Sequence, residues 1–135
     1  MYHVVIGVDE DEDRALACAR AVGALPGDAS EIEVTIVHSF TDNPSGASAT
    51  QVHSVREVED YLDSEGIAYE VADTSGDPAD QLLDTASTVD ADLIVVAGRK
   101  RSPAGKALFG SVTQTVILNA GRPVMVAGEA KQVED

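Results

Sequence analysis

Short, unbroken apolar runs recur along this chain, separated by segments of helical period. Val4-Val5-Ile6-Gly7-Val8 is the first such run and ends in an acidic cluster, and Leu93-Ile94-Val95-Val96-Ala97 is the fourth. Runs of this length and composition are the pattern of parallel strands buried on both faces. Ile32, Val34 and Ile36, with the β-branched Thr35 and Val37, predict a second strand that stops around His38-Ser39. Ile67 to Val71 predicts a third, weaker strand, and Pro123 to Ala127 a fifth.

Between the strands, Ala15, Ala19 and Val22 repeat at helical spacing with Cys18 on the flank, and Asp9 or Asp11 can cap the start of that helix. Val52, Val55, Val58 and Leu62 trace one face of a second helix ending at Gly66. Asp77 is a natural N-cap with Pro78 at the first helical position of a third, whose Ala79, Leu82, Leu83 and Ala86 face the sheet. Gly110 or Ser111 opens a fourth that runs through Leu118. Strands alternating with helices imply right-handed crossovers, so the expected fold is α/β, a doubly wound five-stranded parallel sheet with helices on both faces. In such sheets ligands bind beyond the carboxyl ends of the strands, where the strand order reverses. Those ends are Asp9, after the first strand, and Gly98, after the fourth.

No linker or repeat interrupts the series, so residues 1–128 are read as one domain and 129–135 as an acidic C-terminal tail that frays. The single cysteine, Cys18, rules out an internal disulfide framework and reads as a small buried hydrophobe. The N-terminus lacks a basic region, a long apolar run and a cleavage site, and no segment is long enough to span a membrane. A cytoplasmic location is expected. The formal charge of −15 excludes a general nucleic-acid or anionic-membrane binder. Self-repulsion of that size is relieved in molar salt, where the screening length falls to about 3 Å, which suggests a halophilic source.

Within this acidic chain, Arg99, Lys100, Arg101 and Lys106 place four of the nine basic residues in one loop. Gly98, Gly105 and Gly110 punctuate that loop, and a helix begins where it ends. Glycines let backbone N–H groups approach a phosphate closely, and a helix start adds unsatisfied donors and the positive end of its dipole. Gly110, Ser111 and Val112 are the candidate donors, with the Ser111 hydroxyl beside them.

The segment Gly98 to Val112, followed by a helix and then Ala120-Gly-Arg-Pro-Val-Met-Val-Ala, resembles the signature of the universal stress protein family. Val8-Asp9 and Val37-His38 extend the likeness to the ends of the first two strands. The resemblance implies strand order 3-2-1-4-5, a homodimer formed through the fifth strand (Val124, Met125, Val126), and a regulatory protein binding ATP or a related nucleotide. It implies adenine near Asp9 and the backbone of Ser39, with phosphates meeting Gly98, Arg99, Arg101, Gly105, Gly110, Ser111 and Val112. Two departures stand out. Arg101 occupies the family's second glycine position, and eight residues rather than nine separate it from Gly110. Arg101 either blocks the backbone or grips phosphate through its guanidinium. Asp11 adds negative charge near the phosphates, which a Mg ion held by Asp9 and Asp11 would offset.

Arg101 and the shortened loop favour an alternative, a nucleotide-free dimeric stress or interaction protein with a degenerate site. A flavodoxin-like redox domain is disfavoured by the scarcity of aromatics. His3, His38 and His53 lack metal-ligand spacing and read as strand or surface residues, so no zinc site is expected. Ser111 lacks a nucleophile-elbow context and an identifiable base, and Lys106 lacks the Walker spacing, so at most slow ATP hydrolysis is expected.

Overall fold

A computed structural model describes residues 1–9, 11–40, 53–98 and 110–128. The elements run β1 (Tyr2–Gly7), α1 (Glu12–Gly23), a single 3-10 turn (Ala29–Glu31), β2 (Ile32–Phe40), α2 (His53–Glu65), β3 (Ala68–Ser75), α3 (Pro78–Thr88), β4 (Leu93–Ala97), α4 (Ser111–Asn119) and β5 (Val124–Ala127). All strand pairs are parallel, in the order β3-β2-β1-β4-β5. The α/β sheet and its order are therefore as expected from the sequence.

Alternation along the strands divides the core into two layers. Val4, Ile6 and Val8 join Val34, Ile36 and Val95 under α1 and α2, where Ala15, Cys18, Val22, Val55, Val58 and Leu62 meet them. Val5, Ile94 and Val96 point the other way, against Ala79, Leu82 and Ala86 of α3 and Val116 of α4. The alternating faces follow from the two-residue period of a strand, and both are apolar because helices cover both sides. Truncating a fully buried member such as Ile6 to alanine would cost about 2–5 kcal/mol. Gly7 closes β1 because α3 packs tightly there: an added Cβ would lie 2.8 Å from Leu82 Cδ2.

The helix ends are set by local chemistry. Asp11, not Asp9, caps α1, its side chain accepting from the Arg14 amide. Asp77 caps α3 in the same way, with Pro78 at the first helical position. Gly66 ends α2 at φ 73°, with its N–H donating to Asp63 O and the Ile67 N–H to Leu62 O, a pairing that satisfies the last carbonyls. Two boundaries differ from the sequence reading. β3 runs through Ser75 rather than ending at Val71, because this edge strand pairs with β2 along Asp73, Thr74 and Ser75 despite their polarity. α4 extends to Asn119, with Gly110 as its N-cap. Val52 and the 129–135 tail lie outside the described residues.

Candidate functional site

The chain moves outward from β1 through β2 to β3, then returns to lay β4 on the other side of β1, so the strand order reverses between β1 and β4. Asp9 follows β1 and the buried Gly98 follows β4, where the Gly98 N–H donates to Ala127 O at 3.0 Å. At this point the start of α4 is brought against the sheet. The buried Thr113 donates its hydroxyl to Ala97 O at 2.8 Å, tying the first turn of the helix to the end of β4.

The first intrahelical bond of α4 runs from Gln114 N–H to Gly110 O at 3.0 Å. The amides of Ser111, Val112 and Thr113 therefore have no partner within the helix, and Gly110 has no side-chain oxygen to cap them. Together with Asp9, Arg14, Ala97 and Gly110, these three residues line a cleft of about 120 Å³. Among the described residues this cleft offers room for an anionic end group.

The opposite wall is a charge cluster. Arg14 donates to Asp9 Oδ2 from Nε at 3.2 Å and from Nη2 at 3.1 Å, and its Nη1 lies 3.5 Å from Asp11 Oδ2. The Asp11 N–H donates to Asp9 Oδ1 at 2.9 Å, and Asp11 Oδ1 accepts the Arg14 amide at 2.9 Å. All four carboxylate oxygens are thus engaged. Arg14 thus stands against both of the carboxylates at which the sequence reading placed a Mg ion. Behind them, Ser54 is fully buried and donates to Asp9 O at 2.6 Å, fixing the start of α2 against the same turn. Cys18 lies under this wall. Burial, with the charge of Asp9 adding to it, pushes its thiol up to about 12, so it acts as packing and not as a nucleophile.

Of the residues expected from the sequence, the structure brings Asp9, Gly110, Ser111 and Val112 to one cleft. Ser39 lies near the end of β2, paired with Thr74 of β3. Arg99, Arg101 and Gly105, with Lys100 and Lys106, lie outside the described residues. Arg14, Thr113 and Ser54 are additions that sequence reasoning missed. Arg14 sits three residues after the capping Asp11, a signal that charge spacing on the first helical turn could have raised. The two hydroxyl contacts have no local signature. His53, read as isolated, meets Glu57 at the i+4 position on α2 and Glu12 of α1.

A doubly wound parallel sheet with a helix N-terminus at its switch point defines the class of small open-sheet α/β proteins. The universal stress protein family model matches residues 1–128, and the chain belongs to that family. It is 38% identical over 72 residues to a universal stress protein of Mycolicibacterium smegmatis, a match spanning 53% of this chain and 55% of that relative. Among solved structures, a universal stress protein in complex with cAMP superposes with a TM-score of 0.72 at 27% identity, over 96% of this chain and 98% of the other. The universal stress protein from Archaeoglobus fulgidus in complex with dAMP gives a TM-score of 0.67 at 25% identity, over 94% and 98%. Among the described residues no helix is long and apolar enough to cross a membrane.

Proposed function

We propose that this chain is a regulatory protein that binds ATP or a related adenine nucleotide, with the phosphates at the start of α4. The observation that carries the reading is the set of helix-unpaired amides at Ser111, Val112 and Thr113, held at the strand-order switch by the 2.8 Å bond from Thr113 to Ala97 O. The nucleotide complexes of relatives with the same fold support it. In this reading Gly98, Arg99, Arg101 and Gly105 also contact the nucleotide, and the base lies toward Asp9 and the Ser39 backbone. Mg enters with the nucleotide, on its phosphates, and not as a ligand of Asp9 and Asp11. Hydrolysis is slow, because Asp9 is the sole titratable base among the described cleft-lining residues and its oxygens are committed to Arg14 and the Asp11 amide.

Calorimetric titration of ATP, AMP and cAMP, with and without Mg, tests the proposal at low and molar KCl. Saturable binding of at least one of them, lost when Gly110 is replaced by valine, is expected. Absence of binding by the folded protein at every salt concentration would overturn it.

A second reading, a dimeric interaction protein without nucleotide, is favoured by one observation. Ile117 and Leu118 of α4 are exposed, Leu118 at 80%, and β5 is an edge strand whose Val124, Met125 and Val126 are only half-buried. Exposed edges of this kind invite pairing with a second copy. Light scattering should report a homodimer that a charge at Met125 breaks, whichever ligand result is obtained.

A further inference from the structure

Beside the cleft wall, the first turn of α1 meets the start of α2. His53 opens α2, and its Nε2 lies 3.5 Å from Glu12 Oε2 across the helix pair and 3.7 Å from Glu57 Oε2 on its own helix. One ligand atom from each of the three residues falls within 4.8 Å of the other two. These separations are longer than a charge-assisted hydrogen bond, about 2.7–2.9 Å. His3 and Glu33 show the short alternative in the same protein, at 2.7 Å. The 3.5 Å separation matches the edge of a coordination tetrahedron, where two ligands each about 2.0–2.2 Å from zinc stand about 3.3–3.6 Å apart, and the 3.7 Å separation lies just beyond it.

The backbone positions of these groups are fixed from behind. Glu12 follows the N-cap Asp11, and His53 precedes Ser54, whose buried hydroxyl is bonded to Asp9 O. Two helix starts are thus held against one turn, with an imidazole and two carboxylates converging between them.

We propose that Glu12, His53 and Glu57 form a three-ligand site for a divalent first-row metal ion of the zinc class. The imidazole selects against Mg and Ca, which take oxygen shells, and in favour of zinc and its neighbours. The side chains are 52%, 66% and 41% exposed in the order named, so water completes the coordination and the ion exchanges with solvent. Bound there, it staples α1 to α2 next to the turn that carries Asp9.

The test uses the intact protein, treated with chelator and then titrated with Zn by calorimetry in the presence of excess Mg, with Co absorbance as a second probe. One equivalent binds, and His53→Ala, Glu12→Gln and Glu57→Gln each lose at least about tenfold in affinity, while His3→Ala is unchanged. Zn raises the unfolding midpoint of the unmodified protein, and raises it less in each of the three variants because the stabilisation follows the affinity. Metal-free melts confirm that each variant folds. No binding by the unmodified protein, retention of affinity in His53→Ala or Glu12→Gln, or its loss in His3→Ala would overturn the proposal.

Discussion

Arg14 grips Asp9 from the side, with Nε and Nη2 at 3.2 and 3.1 Å from the same carboxylate oxygen. The guanidinium also reaches Asp11, so one cation serves two carboxylates at the mouth of the cleft. An acidic chain can thereby present acidic residues near a phosphate without repelling it. Replacing Arg14 with glutamine leaves both charges uncompensated. Nucleotide affinity should fall about tenfold at low salt and less in molar KCl, measured by calorimetry, because screening weakens the exposed repulsion. The stability loss should be only about 1 kcal/mol, as the pair is partly exposed.

Gly110 separates ligand binding from helix stability. At φ −71° and ψ 166° its backbone lies in a region that any residue adopts, so aspartate there brings no backbone strain. Gly110→Asp would cap α4 and gain a few tenths of a kcal/mol. Its carboxylate would occupy the amides and repel phosphate. The expected outcome is an unchanged or slightly raised unfolding midpoint with no measurable heat from ATP.

Much of the fold was legible because apolar runs announce strands that are covered on both sides. Leu93 to Ala97 is bounded by Asp92 and Gly98, and the strand found there matches it. β3 was read short because an edge strand tolerates Asp73, Thr74 and Ser75, which a periodicity argument discards. The cleft was legible in part: Asp9, Gly110, Ser111 and Val112 follow from the ends of strands and the start of a helix. Arg14 was not, because apolar spacing ranks the buried face of α1 and passes over a cation on its first turn. Thr113 and Ser54 act through carbonyls of distant segments, and such contacts exist only once the helices are docked.

The formal charge of −15 predicts a salt response. The unfolding midpoint should climb from low to molar KCl as repulsion is screened, followed by circular dichroism. A flat or falling midpoint would count against a surface adapted to high salt.

Cys18 predicts an alkaline response of definite sign. Its thiol, with an ordinary value of 9.0, is pushed up to about 12 in the folded protein. The unfolded chain therefore loses this proton first, and stability is intact below about pH 9 and falls between there and pH 12. The slope contributed is at most about 1.4 kcal/mol per pH unit. Cys18→Ala should flatten that part of the alkaline denaturation curve, and thiol reagents should label the unmodified protein only as fast as it unfolds.

The bond from Thr113 to Ala97 O also bears on what can be changed by engineering. Because it fastens the start of α4 directly to β4, a change at Thr113 reaches the amides of that helix's first turn. Thr113→Val, which removes that hydroxyl at nearly constant volume, should accordingly disturb anion binding.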